Sequence, residues 1–247
     1  MHDAVVLSDI HLGLDNCEAK ELIIFLESIH RGELRTRRII LNGDVFDSFD
    51  FRRLKKNHWK VLSLLRKMSD WIEIIWINGN HDGPAEIVSH LLGVEVRDDL
   101  ILESGGKRIL FHHGHRFDDF CDNYRMISAV ADLIYRLLQK IDSSHHIART
   151  AKRKSKTFLR CTEKIRRMSI ELASRLDCDA VCCGHTHDPV SDNPVGEIEY
   201  YNSGSWTERP CHYLTVLNGV IKLHAHLRSV ERFEFEEPVL TGSAIFE

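Results

Sequence analysis

The sequence predicts an α/β fold, and three observations carry that expectation. Apolar runs of strand length stand at residues 4–7, 38–41 and 72–77, each followed by a segment whose apolar residues recur at helical spacing. The runs read as strands buried on both faces, as in a parallel sheet. Each run also ends in small or polar residues: Ser8-Asp9-Ile10-His11, Asn42-Gly43-Asp44 and Gly79-Asn80-His81-Asp82. Open α/β sheets place their chemistry at such carboxyl ends.

Taken in order, residues 18–30 set Leu22, Ile23, Phe25, Leu26 and Ile29 on one helical face. Leu54, His58, Val61, Leu62, Leu65 and Met68 mark a second, basic amphipathic helix. Pro84 suits the first turn of a helix over 85–92. Three such β-α repeats imply parallel strands joined by right-handed crossovers. The pattern then changes. Residues 94–96 and 100–103 read as short strands, Gly105-Gly106 as a hairpin turn, and 108–111 as the returning strand that ends at His113. Residues 118–176 carry no strand signal and no proline, and their apolar spacing predicts two or three helices inserted as a cap. Strands resume at 180–183, 197–201, 213–217 and 220–226. The whole chain, 1–247, reads as a single domain with a helical insert over about 118–176.

Composition narrows the function classes. A formal charge of −4 argues against a general nucleic-acid binder. The seven cysteines are odd in number and contain no Cys-x-x-Cys pair, so no disulfide framework is expected and a reducing cytoplasm is the natural compartment. Cys182-Cys183 sits inside an apolar strand and reads as packing. The amino terminus has neither a basic n-region nor a cleavage site, so no signal peptide is expected, and no apolar run is long enough to span a bilayer. Sixteen histidines, clustered at His112-His113-Gly114-His115 and Gly184-His185-Thr186-His187, point to metal.

The candidate ligands are Asp9, His11, Asp44, Asn80, His113, His185 and His187. In an extended strand, residues i and i+2 face one side, so Asp9-x-His11 and His185-x-His187 each present two ligands together if strand geometry continues. Carboxylate, amide oxygen and imidazole suit divalent manganese, iron or zinc. Asp44 is the natural bridge between two such ions. Two-metal sites hold their ions about 3.5–4 Å apart and clamp a hydroxide for in-line attack on phosphorus. His81 offers a proton donor or a further ligand, and Asp82 a carboxylate to orient it. Any one aspartate after a strand is more often a cap or turn residue. Five strand ends finishing this way are not explained by capping.

In this order, Asp9-x-His11, Gly43-Asp44, Gly79-Asn80-His81-Asp82, His113-Gly114 and Gly184-His185-x-His187 resemble the motifs of the calcineurin-like metallophosphoesterases. The resemblance spans residues 9 to 187. It implies a layered α/β sandwich with a dinuclear centre. Asp9, His11, Asp44 and His187 would hold one metal, and Asp44, Asn80, His113 and His185 the other. His81 would donate to the leaving-group oxygen or the phosphoryl group, oriented by Asp82. The cofactors expected are two divalent ions, manganese first, with zinc or iron as alternatives.

A narrower resemblance lies in the insert following His113-Gly114-His115-Arg116-Phe117-Asp118 and in Tyr201-Asn202-Ser203-Gly204-Ser205-Trp206-Thr207-Glu208. Both resemble the UDP-2,3-diacylglucosamine pyrophosphatase-like branch, which hydrolyses a pyrophosphate in lipid A biosynthesis and holds acyl chains with its helical insert. That branch usually carries Arg where this chain has His81. Residues 149–167 form a basic run whose Lys152, Arg153 and Lys154 are candidate substrate contacts, or a peripheral contact with an anionic membrane surface, against the commoner solvated face. Trp206 is a candidate cap over the site.

The leading expectation is therefore a metal-dependent phosphoesterase acting on a phosphodiester or pyrophosphate bond in a nucleotide-linked or lipid-linked small molecule. A nuclease, a cyclic-nucleotide phosphodiesterase and a protein phosphatase of the same fold are the alternatives within enzymes. A non-catalytic metal-binding scaffold is the alternative outside them. Nucleic acid is disfavoured by the acidic total and the lack of aromatic interleaving in the basic run.

Overall fold

Strand β1 (Ala4–Leu7) shows how the molecule is layered. Val5 and Leu7 face one core, while Ala4 and Val6 face another, and all four are fully buried. The two-residue period of a strand thus serves two cores at once. The computed structural model describes residues 1–83, 87, 89–90, 93–118, 156–194 and 197–227. The helix expected at 85–92 lies largely outside them.

The first sheet contains β1, β2 (Arg38–Asn42), β3 (Glu73–Ile77), β4 (Glu95–Arg97), β10 (Cys211–Leu217) and β11 (Val220–His226), in the order β11-β10-β1-β2-β3-β4. Strands β1 to β4 run parallel, with Val5 opposite Ile39, Ile39 opposite Ile74 and Ile75 opposite Glu95. β10 and β11 form an antiparallel hairpin on the far side of β1. Helices α1 (Ala19–His30) and α2 (Lys56–Met68) cover the outer face. Leu22, Phe25, Leu26 and Ile29 from α1, with Val61, Leu62, Leu65 and Met68 from α2, pack on Val5, Leu7, Ile39, Leu41 and Trp76. Full burial of each large apolar side chain contributes about 1.5–3 kcal/mol, which makes this layer the main anchor of the first half.

The second sheet contains β5 (Asp99–Ser104), β6 (Lys107–His112), β7 (Ala180–Cys183), β8 (Val190–Asp192) and β9 (Glu199–Asn202), in the order β5-β6-β7-β9-β8. β6, β7 and β9 are parallel, and β5 and β8 flank them antiparallel. The two sheets face each other across Val6, Ile40, Ile75, Ile77, Ile109, Phe111, Cys182 and Val216. The result is a sandwich of two mixed sheets with helices outside, an α/β layered fold.

The expected cap needs a correction in its last part. Helix α3 (Lys156–Arg175) does not stand over the site along its length. Its Ile170, Leu172 and Ala173 pack on Leu110, Val181, Cys183 and Tyr200, so it forms the outer layer of the second sheet. Its apolar spacing serves a core, as helical stripes usually do. Residues 119–155 lie outside the described residues. Among the described residues, no helix is long and apolar enough to cross a membrane.

Candidate metal centre

The parallel strands of both sheets deliver their carboxyl ends to one edge of the sandwich. There Asp9 follows β1, Asp44 follows β2, Asn80 and His81 follow β3, His113 follows β6, and His185 and His187 follow β7. The strand geometry does not continue through these residues. Asp9, His11, Asp44, His185 and His187 have φ of 52°, 51°, 52°, 66° and 58°, in the left-handed region. Among the described residues, only Asp177 and Asn218 join them as non-glycine cases. The expected extended i, i+2 presentation is therefore corrected. The pairs face together because two left-handed residues flank a normal one, a conformation that costs about 1 kcal/mol or more per residue and concentrates at functional sites.

Backbone bonds fix these turns. His11 N–H donates to the Asp44 carbonyl at 2.9 Å and Asp9 N–H to the Gly43 carbonyl at 3.0 Å, which ties the turn after β1 to that after β2. The carboxylates tie the remaining turns. Both oxygens of Asp9 accept from His185 N–H at 3.0 Å, and Asp44 Oδ1 accepts from His81 N–H at 2.9 Å. Two glycines permit this crowding. A Cβ at Gly43 would stand 2.2 Å from His113 Nδ1, and one at Gly79 would stand 2.2 Å from Asp44 Oδ1.

Three groups of side chains bring ligand atoms within 4.8 Å of one another: Asp9, His11 and His187; His11, Asp44 and His81; and Asp44, His113 and His185. Asp44 Oδ2 lies 3.1 Å from His113 Nε2 and 3.7 Å from His11 Nε2, so this carboxylate stands between the two ends of the site. Asp9 Oδ1 lies 3.2 Å from His187 Nε2. Asn80 is exposed and sits between Gly79 and His81, both of which abut Asp44.

The donor set fits divalent cations. His113 Nδ1–H donates to the Asn42 carbonyl at 3.0 Å, which leaves the Nε2 lone pair of the neutral ring facing the Asp44 carboxylate inside the protein. Two acceptors at that distance need a cation between them. The Nε2 atoms of His11 and His187, 3.2 Å apart, share one hydrogen bond whose direction the tautomers set, and either lone pair can turn to a metal when that bond is given up. An imidazole held by a backbone carbonyl on one nitrogen and open on the other is the usual metal-ligating arrangement. Without metal, protons meet the demand. Burial pulls His113 down, but the Asp44 carboxylate outweighs it and raises the imidazole to about 10. Burial pushes Asp9 up, yet His187 beside it brings the carboxyl down to about 2. His11, where burial dominates, falls to about 3.

His81 and Asp82 part company. The Asp82 carboxylate is fully buried and accepts from Phe46 N–H at 2.9 Å, Gly79 N–H at 2.9 Å and Trp76 Nε1–H at 3.1 Å. It pins the turn from below, so its expected part in orienting His81 is corrected. Burial and the Asp44 charge push Asp82 up to about 6, against those three donors. His81 Nδ1–H instead donates to the Asp47 carbonyl at 2.8 Å, which leaves Nε2 for the site.

Trp206 is not a cap. It is fully buried, with its ring 5.4 Å from that of Phe25 and 5.6 Å from that of His226, and it has no surface to offer a ligand. Its backbone N–H donates to the Asp9 carbonyl at 3.0 Å, so it supports the site through the main chain. Lys152, Arg153 and Lys154 lie outside the described residues.

Two supporting carboxylates escape a reading that stops at strand ends. Asp118 Oδ2 lies 2.8 Å from His185 Nε2, and Asp47 Oδ1 lies 3.9 Å from His11 Nδ1 while also pairing with Arg53. The Asp47 signal was present as an acidic residue three positions after Asp44. Asp118 has no comparable signal, because the 3-10 turn His115–Phe117 sets its direction.

Residues 3–189 match the family model described as calcineurin-like phosphoesterase. The chain belongs to that family. A comparison with curated proteins gives no match. Among solved structures, the phosphoesterase Yfce from E. coli is 19% identical, with a TM-score of 0.52 over 90% of this chain and 92% of that one. A predicted phosphoesterase from Streptococcus pneumoniae is 19% identical, with a TM-score of 0.41 over 91% and 97%. Vps29 from Entamoeba histolytica, in complex with zinc, is 14% identical, with a TM-score of 0.41 over 90% and 96%. At 19% identity the likeness to Yfce is one of fold. Family membership supports a metal-dependent phosphoesterase in general, and the ligand groups are the part of this chain that answers to it.

Proposed function

We propose that this chain hydrolyses a phosphodiester or pyrophosphate bond in a nucleotide-linked or lipid-linked small molecule, with two divalent ions, manganese foremost. The observation that carries the reading is Asp44, shared between a ligand group with His113 and His185 and another with His11 and His81. Asp9, His11, Asp44 and His187 would hold one ion, and Asp44, Asn80, His113 and His185 the second. Two ions there would supply charge neutralisation on phosphate oxygens and a nucleophile at neutral pH.

The chain's own residues do the rest. Asp44 offsets the repulsion between two cations. His81, with Nδ1–H on the Asp47 carbonyl, directs Nε2 at the rim of the site. When protonated, Nε2–H donates to the leaving oxygen or to a phosphoryl oxygen as negative charge grows there. An imidazole can transfer a proton to a leaving oxygen, whereas a guanidinium stays charged and only donates a hydrogen bond. His81 therefore suits an alkoxide leaving group as well as a phosphate one, which widens the substrate range beyond UDP-2,3-diacylglucosamine. The motifs shared with that enzyme's branch support a lipid-linked nucleotide as one substrate to test.

Manganese-loaded protein should be assayed on bis(p-nitrophenyl) phosphate and on UDP-2,3-diacylglucosamine. Turnover of the first supports the reaction class, and turnover of the second the branch. No turnover of either with any divalent metal would leave a metal-binding scaffold.

A further inference from the structure

His81 is exposed at the rim of the site, and two aspartates hold it in different ways. Its main-chain N–H donates to Asp44 Oδ1 at 2.9 Å, which fixes the backbone. Its ring is held by Nδ1–H on the Asp47 carbonyl at 2.8 Å. The aim of Nε2 therefore depends on the plane of the peptide between Asp47 and Ser48, because that peptide carries the carbonyl.

Arg53 grips both flanks of this peptide. Its Nη1 donates to the Asp47 carboxylate on one side and to Ser48 Oγ at 3.0 Å on the other. Asp47 N–H donates to the Leu12 carbonyl at 3.0 Å, which anchors the residue but does not itself fix the peptide that follows. Arg53 is in turn well founded. It closes the 3-10 turn Phe51–Arg53, whose Asp50 cap accepts from Arg52 N–H at 3.2 Å, and Leu54 after it is buried in the core.

Building on the phosphoesterase reading, we propose that Arg53 is a positioning residue, which sets the plane of the Asp47–Ser48 peptide and through it the direction of His81 Nε2. The Asp47 side chain is buried, and His11 Nδ1 stands 3.9 Å from its Oδ1, beyond hydrogen-bond reach. Removing the guanidinium leaves that carboxylate buried without its donor, a state that proteins avoid by moving the group. The carboxylate then turns toward His11 or toward water and takes the peptide with it. The ring loses its acceptor, and with it the tautomer that the acceptor selects.

Two readouts on the full chain test this. Two-bond nitrogen–proton correlation spectra of the zinc-loaded protein, with the His81 signals assigned through His81→Gln, should show neutral His81 as the Nδ1–H tautomer in the wild type. In Arg53→Met they should show the mixture of tautomers that an unheld ring adopts. With manganese and bis(p-nitrophenyl) phosphate, Arg53→Met should lower kcat about tenfold or more and leave KM within about twofold, part of what a well-aimed general acid contributes. Its metal content should equal that of the wild type. If Arg53→Met fails to fold, Arg53→Lys takes its place, and its ammonium, without the planar guanidinium, should give the same split at a smaller loss. Either readout unchanged in an active wild-type background overturns the assignment. So does a raised KM with kcat kept, which would make Arg53 a substrate contact, or a loss of metal. Failure of the hydrolase reading looks different: the wild type turns nothing over while the His81 tautomer still responds to Arg53→Met.

Discussion

His185 Nε2 lies 2.8 Å from a carboxylate oxygen of Asp118, and both side chains are largely buried. The contact engages Nε2 of a histidine that belongs to the Asp44–His113–His185 ligand group, so Asp118 holds that ring in place. Carboxylates that hold a ligating histidine this way typically contribute about 10–100-fold in metal affinity. Asp118→Asn should therefore weaken metal binding by that order while the fold stays intact. Titration calorimetry with manganese reads the affinity and the metal-free thermal midpoint reads the fold. Unchanged affinity would make Asp118 a structural partner only.

Asn80 and His81 are adjacent but should respond differently. Asn80→Ala removes the amide oxygen proposed as a ligand of the second ion and should lower metal content. His81→Ala should keep the metal content and reduce turnover by about 10²–10⁴-fold, the range of a general acid. Metal analysis alongside phosphodiester kinetics separates the two, and equal metal loss in both would mean that their roles are misassigned.

Asp82 is a stability residue in this structure. Asp82→Ala leaves the N–H groups of Phe46, Gly79 and Trp76 buried without their acceptor, a loss of about 3 kcal/mol or more at 1–3 kcal/mol per orphaned group. Chemical denaturation should show that loss. Asp82→Asn keeps an acceptor oxygen and should lose less.

Metal loading should release protons. In the metal-free protein His113 is held protonated up to about 10, chiefly because Asp44 outweighs the burial that pulls it down. Its contribution to metal-free stability is fully present below the unfolded value near 6.5 and is lost as pH rises through about 10. A metal at Nε2 must displace that proton, so at pH 8 loading should release about one proton from this site and apparent affinity should rise with pH. Calorimetry in buffers of different ionisation enthalpy measures the number. His113→Gln should release about one proton fewer.

The fold was largely legible because buried strands and amphipathic helices write their periods into the chain. Leu22, Phe25 and Ile29, and likewise Val61 and Leu65, reach the core that their spacing predicts. The clustering of Asp9, His11, Asp44, His113, His185 and His187 was legible too, because strand ends meet at one sheet edge. The manner of presentation was not. Left-handed φ at aspartate and histidine leaves no periodic trace, and only a tertiary network holds it. Trp206 after Ser205 gave no sign of which way its ring points, and it went to the core. The partner of His81 proved to be the Asp47 backbone carbonyl, an acceptor that every residue carries. Helix α3 is apolar enough to read as a cap or as a layer, and Tyr200 and Val181 beneath it decide for the layer.

Asp44 at the junction of two ligand groups is the central claim, and metal stoichiometry tests it most directly. Native mass spectrometry of the manganese-reconstituted protein should find two ions on the full chain and fewer than two on Asp44→Ala. A single ion on the wild type, or two ions retained by Asp44→Ala, would contradict it.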